Sequence, residues 1–123
     1  MTLLDHGTPF DTAASLRDWH AEHATPVPTG CGALDALLGG GVMFDSLTEV
    51  MGRSSTGKTQ LCFTAAVAVA ERGERVLYLD TTNSFSAKRL QEIIRERHSH
   101  LERRPRDELA RDLMSRISCE PGT

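Results

Sequence analysis

Aromatic residues are scarce in this chain, at 5% of 123 residues with a single Trp and a single Tyr. A core made without them has to come mainly from Leu, Val, Ile and Ala. Cysteine is scarce too, and the three present (Cys31, Cys62, Cys119) are an odd number without Cys-x-x-Cys spacing. That argues against a disulfide framework or a zinc site and for reduced thiols inside a cell. No long apolar run exists: the greasiest stretch, residues 61–70, is far too short to span a bilayer. The N-terminus carries Asp5 and Asp11 and offers no continuous apolar segment for a signal peptide. A soluble, intracellular protein with no membrane partner is therefore expected. Neither sign of charge dominates, and a formal net charge of −3 gives no global pull toward nucleic acid or anionic lipid. What is present, 39% apolar and 25% charged residues, suits one globular domain rather than a disordered chain.

Along the chain, residues 1–28 read as an N-terminal extension or linker with a short helix. Asp11 or Thr12 can cap that helix, which runs to His23 with Leu16, Trp19 and His20 near one face. Pro26 and Pro28 make the next segment extended. Thr29-Gly30-Cys31-Gly32 turns into a short helix with Leu34, Leu37 and Leu38 on one side, ended by Gly39-Gly40-Gly41. Residues 47–51 suit a strand. From Lys58 the pattern is helical, with Leu61, Cys62, Ala65, Ala66 and Val69 as the apolar stripe and Cys62 as a core residue. Gly73 stops that helix. Residues 75–80 are nearly all apolar, as expected of a strand covered on both faces. Ser84 or Ser86 can cap a helix carrying Leu90, Ile93, Ile94 and Leu101, with Phe85 packed beneath the preceding turn. Pro105 can open another, with Leu109, Leu113 and Met114 inward. Residues 116–119 begin a further strand. Alternating strands and helices predict an α/β fold with a parallel sheet, of which residues 29–123 form an incomplete front part.

The most informative stretch is Gly52-Arg53-Ser54-Ser55-Thr56-Gly57-Lys58-Thr59-Gln60. It fits the Gly-x-x-x-x-Gly-Lys-Ser/Thr phosphate loop at every fixed position. Gly52 and Gly57 allow the backbone to curl where a side chain would block a phosphate. The amides of residues 55–59 can point inward as an anion nest at a helix N-terminus. Lys58 can reach the β- and γ-phosphates, and the Thr59 hydroxyl can ligate Mg²⁺. Arg53, Ser54, Ser55, Thr56 and Gln60 support them. Chance gives this pattern in about 0.4% of chains of this length at ordinary composition.

Three motifs in order carry a family resemblance: Thr29-Gly30-x-Gly32-x-Leu34-Asp35-x-Leu37-Leu38, Thr56-Gly57-Lys58-Thr59-Gln60, and Leu77-Tyr78-Leu79-Asp80-Thr81. Together they resemble the RecA-type recombinase family over roughly residues 25–118. Among its eukaryotic members the chain looks most like a recombinase paralogue, of the D type. The resemblance implies a P-loop NTPase with a RecA-like core, ATP and Mg²⁺ as cofactors, and a nuclear location. It also implies assembly with related paralogue subunits and work on single-stranded or branched DNA in repair by homologous recombination.

Two departures qualify what the resemblance implies. Active members place a water-orienting glutamate where Thr82 stands, followed here by Asn83. A hydroxyl is no general base, and losing one typically costs about 10²- to 10⁴-fold in rate. Binding with weak or no hydrolysis is expected, and no residue is assigned a catalytic role. The family's Walker B strand and DNA-binding loops would follow residue 118, and Asp80 is not the Walker B aspartate. An active P-loop ATPase or kinase, and a nucleotide-stabilised interaction module, are the alternatives.

Weaker signals remain. Residues 88–116 hold nine of the 14 basic residues beside six acids, either a DNA-contacting patch or a solvated face of i,i+4 pairs. His20, His23, His98 and His100 lack the further ligands a metal needs and read as surface histidines. Trp19 is either a partner anchor or a cover for its own helix.

Overall fold

The computed structural model describes residues 12–43 and 46–122. Helix α1 (Ala13–His23) begins at Thr12, whose hydroxyl accepts the Ser15 amide while the Ser15 hydroxyl accepts the Thr12 amide, both at 3.1 Å. This reciprocal cap satisfies two amides at once. Asp11, the alternative cap, lies outside the described residues. Past the prolines, Val27 and Val42 form an isolated antiparallel bridge with 2.8 Å bonds in both directions. Gly41 makes that approach possible, because a Cβ there would fall 2.1 Å from the Val27 carbonyl oxygen.

Between the bridge partners lies helix α2 (Gly32–Leu37). The buried Thr29 donates its amide (2.8 Å) and its hydroxyl (2.6 Å) to one oxygen of Asp35, and its hydroxyl accepts the Cys31 amide at 3.2 Å. That knot is the physical content of the Thr29-to-Asp35 spacing. Leu34 and Leu38 are half-buried, whereas Leu37 is exposed, against the expectation of a shared side. No described element lies over Leu37.

Helix α3 (Lys58–Glu71), strand β1 (Val76–Asp80), helices α4 (Ala87–Arg97) and α5 (Arg103–Ser115), and strand β2 (Ile117–Pro121) complete the order. The strands pair in parallel with Val76 opposite Ile117 and Asp80 opposite Pro121. Phe63, Val67 and Ala70 of α3 meet Leu90, Ile93 and Ile94 of α4 and Ala110 and Leu113 of α5, with Tyr78, Phe85 and Ile117 packed against them. Phe85 lies beneath the turn after β1, its ring 5.6 Å from Phe63 and 5.1 Å from Tyr78. Ser86, not Ser84, caps α4 by accepting the Arg89 amide. Pro105 falls in the first turn of α5, where its missing N–H leaves no bond unmade. The result is an α/β arrangement with helices on one face of a parallel sheet. Among the described residues no helix is long and apolar enough to cross a membrane.

Three further expectations are corrected. Of the α3 stripe only Ala66 is buried, and Cys62 is exposed rather than core. The helix is apolar nearly all round, so tertiary packing chose the Phe63 face and left the other open. Residues 47–51 are not a strand: Leu47 is 99% and Met51 82% exposed. A strand exists through a hydrogen-bonded neighbour, and β1 and β2 pair only with each other among the described residues. Finally, β1 is covered on one face only, because Leu77 and Leu79 stand open to solvent.

Candidate functional site

The loop is built from the backbone first. Ser55 (φ +61°) and Gly57 (φ +98°) are left-handed, which folds residues 52–57 back on themselves before α3 starts. A Cβ on Gly57 would touch nothing within 4 Å, so its glycine serves conformation rather than space. Gly52 serves space, since a Cβ there would come within 2.9 Å of the Thr56 hydroxyl. The Arg53 carbonyl ties the curl together. It accepts the Thr56 hydroxyl at 2.6 Å and the Lys58 ammonium at 2.8 Å. Lys58 also donates to the Gly52 carbonyl at 2.5 Å. The ammonium thus closes the loop from inside the first turn of its own helix.

The start of α3 is a helix end with no side-chain cap, Gly57 standing at the N-cap position. The first amides of any α-helix lack an intrahelical partner and carry a partial positive charge. Beside them is an open cleft of about 440 Å³ lined by Ser54, Ser55, Gly57, Lys58, Thr59 and Gln60. Thr59 is exposed and Lys58 half-buried. Of the nine residues expected here, these six line the cleft, while Gly52, Arg53 and Thr56 shape the turn behind it. Amides, an ammonium and a free hydroxyl are a donor set for an anion carrying a hard cation. Among the described residues no group of three or more His, Cys, Asp or Glu could hold a metal by itself.

Thr82 and Asn83 sit on the turn after β1 and do not line the cleft. The Thr82 hydroxyl is 2.8 Å from that of Ser84. Asp80 organises this turn: its carboxylate accepts the amides of Phe85 (3.0 Å), Ser84 (3.1 Å) and Thr82 (3.3 Å). The Phe85 amide above all, then those of Ser84 and Thr82, hold the Asp80 carboxyl below its ordinary value. Asn83 takes a left-handed φ of +56° to let the turn close.

Sequence reasoning missed Arg89. Its Nε donates to the Gln60 carboxamide oxygen at 3.0 Å, and its Nη1 lies 3.1 Å from Glu92 and 3.8 Å from Glu96. The fold brings it to the loop across 29 positions, which no local spacing reveals. One signal was available: a cation in the first turn of a helix runs against the macrodipole and needs a reason. The basic stretch 88–116 carries i,i+4 ion pairs, including Arg104–Glu108 and Arg116–Asp112, and Arg95–Asp107 joins α4 to α5. That matches the solvated-face alternative.

Comparison with known proteins gives this constellation a context. Residues 21–110 match the model of the Rad51 family. Over 76 residues the chain is 43% identical to the DNA repair and recombination protein RadB of Halobacterium salinarum, covering 62% of this chain and 32% of that protein. Over 71 residues it is 44% identical to the DNA repair protein XRCC3 of Bos taurus and, equally, to the DNA repair protein Rad51 homolog of Drosophila melanogaster. Each of those alignments covers 53% of this chain and 21% of the relative. The chain therefore spans about a fifth to a third of the length of these curated relatives. The family match runs from α1 through the loop and the Asp80 turn into α5, and the chain belongs to the Rad51 family of RecA-type recombinases, with part of an α/β RecA-like core.

Proposed function

We propose that residues 29–123 are the nucleotide-binding front of a RecA-like ATPase core and that residues 52–60 take Mg·ATP. The observation that carries this is the uncapped start of α3 beside an open cleft lined by Lys58, whose ammonium ties the loop through the Gly52 and Arg53 carbonyls. The residues present fit such a group: the left-handed Gly57 starts the helix without a side-chain cap, and the cleft wall supplies an ammonium and a hydroxyl. Lys58 would face the β- and γ-phosphates, the amides of residues 55–59 would line the polyphosphate, and Thr59 would ligate the metal. When bound, Mg·ATP supplies binding energy and a hydrolysable phosphoanhydride.

Hydrolysis by this chain is proposed to be weak or absent. Thr82 offers a hydroxyl where an active member has a carboxylate, and Asp80 is committed to three amides. The whole protein is proposed to act in the nucleus as a recombinase paralogue in repair by homologous recombination. It would work as one subunit among related paralogues on single-stranded or branched DNA. The names of its relatives as DNA repair proteins support this. The open apolar faces at Leu77 and Leu79 favour a second role for nucleotide, propping a surface that docks another subunit.

Equilibrium binding of Mg·ATP to the wild type and to Lys58→Ala tests the proposal. The variant loses the ammonium and both ties to the Gly52 and Arg53 carbonyls, so binding is expected to fall by about 10²-fold or more. Unchanged affinity in the variant would remove the site. Sustained phosphate release by the wild type at about 1 s⁻¹ or faster would favour an active ATPase or kinase instead.

A further inference from the structure

Gln60 is the one cleft residue whose side chain is tied to another helix. A guanidinium has no acceptor, so the 3.0 Å contact with Arg89 Nε must use the carboxamide oxygen. Arg89 is held on its far side by Glu92 and Glu96, which fixes the direction in which it can reach. Its own amide donates to Ser86 Oγ at 3.1 Å, the cap that starts α4. Ser86 directly follows the Asp80 turn that carries Thr82. A chain of direct bonds thus runs from the cleft wall through Gln60 and Arg89 to the cap that joins α4 to the Asp80 turn. Phe63 and Val67 of α3 pack in one cluster with Leu90 and Ile94 of α4, so the helices behind this chain cannot slide freely.

We infer that Gln60 is a positioning residue whose oxygen, through Arg89, couples occupancy of the 52–60 loop to the Ser86 cap and the turn holding Thr82. The inference rests on the nucleotide-binding proposal. Anion binding at the amides of residues 58 and 59 orders the first turn of α3, and Gln60 is in that turn. Its side chain passes the ordering to Arg89, which shares the first turn of α4 with the cap. Coupling of this kind needs a continuous physical link whose loss breaks it.

Hydrogen exchange with saturating Mg·ATP reads it directly, on wild type, Gln60→Leu and Gln60→Glu, with nucleotide binding measured alongside. In the wild type, nucleotide is expected to slow exchange at the amides of residues 84–89 by about tenfold. Gln60→Leu has no acceptor and should lose that slowing, even at concentrations that fill the loop. Gln60→Glu keeps an acceptor for Arg89 and should restore it. The rescue is decisive, because a Gln60 that served by donating its NH₂ to phosphate would be harmed by glutamate at least as much as by leucine. Slowing that is absent in the wild type, survives in Gln60→Leu or fails to return in Gln60→Glu overturns the inference and leaves nucleotide binding standing. A wild type that binds no nucleotide at all overturns both.

Discussion

Leu79→Glu and Tyr78→Ala, neighbours on β1, should have opposite consequences, and the contrast tests whether one face of the sheet is open. Leu79 is 63% exposed, so over half of its surface is already in water. Burying a whole leucine is worth about 1.5–3 kcal/mol, which leaves about 1 kcal/mol at stake on charging that position. Tyr78 points the other way. Its ring centroid lies 5.5 Å from that of Phe63 and 5.1 Å from that of Phe85. Truncating it removes two aromatic pairs and opens a cavity beneath the turn, at a cost of about 3 kcal/mol. In a domain of this size 1 kcal/mol moves the melting midpoint by about 4–8 °C. Leu79→Glu is expected to shift Tm by a few degrees and Tyr78→Ala by more than about 10 °C. Circular dichroism melts at several protein concentrations, paired with sedimentation, make the measurement. Leu79→Glu should also reduce self-association, which an open apolar face and an unpaired strand edge promote. Wild type alone is expected to melt broadly or aggregate, and a cooperative transition of the monomer would count against that. A Leu79→Glu variant that loses as much stability as Tyr78→Ala at every concentration would show the face to be covered, and the argument would fail.

Two further outcomes follow from single side chains. Thr82→Glu, assayed as phosphate release with Mg·ATP and single-stranded DNA, should raise turnover by about 10²-fold; no rise would mean that a missing base is not what limits this chain. Asp35 is held below its ordinary value of 3.8, first by the Thr29 hydroxyl and then by the Thr29 amide. A depressed carboxyl adds stability above its ordinary pKa and loses it as pH falls through the lower folded value, so Tm should drop on acidification below about pH 4. Asp35→Asn should flatten that part of the profile, and an unchanged acid slope would refute the assignment.

How much of this could be read from the chain depends on how local each cause is. The shape of the loop was legible because its residues are contiguous and its curl follows from glycine conformation at the start of a helix. The caps were legible to within two candidates each, and the structure selects Thr12 and Ser86, each an acceptor three residues before the amide it serves. The buried face of α3 was not, because Leu61, Cys62 and Val69 are as apolar as Phe63 and Val67, and only α4 and α5 decide between them. Residues 47–51 failed for a different reason. β-structure belongs to a pair, and a sequence states the propensity of one strand without naming its neighbour. Arg89 failed for a third: its partner lies in another helix, and charge alone does not say which acceptor it will find.

Asp80 bears on the proposal that the site binds nucleotide with little turnover. A carboxylate at the end of a strand, two residues from Thr82, looks like a replacement for the missing base. Its geometry argues otherwise, since each of the three amides it accepts stabilises the ionised form and weakens its pull on a proton. Releasing it to act on water would also unravel the turn, leaving the amides of Thr82, Ser84 and Phe85 without their acceptor. Thr82 contributes to that turn through its main-chain amide, and its side-chain contact is only the exposed Ser84 hydroxyl. A carboxylate placed at Thr82 therefore alters the chemistry offered while leaving the scaffold that Asp80 holds. The weak hydrolysis proposed above would then trace in part to the Thr82 side chain, separable from the loop that would grip the nucleotide.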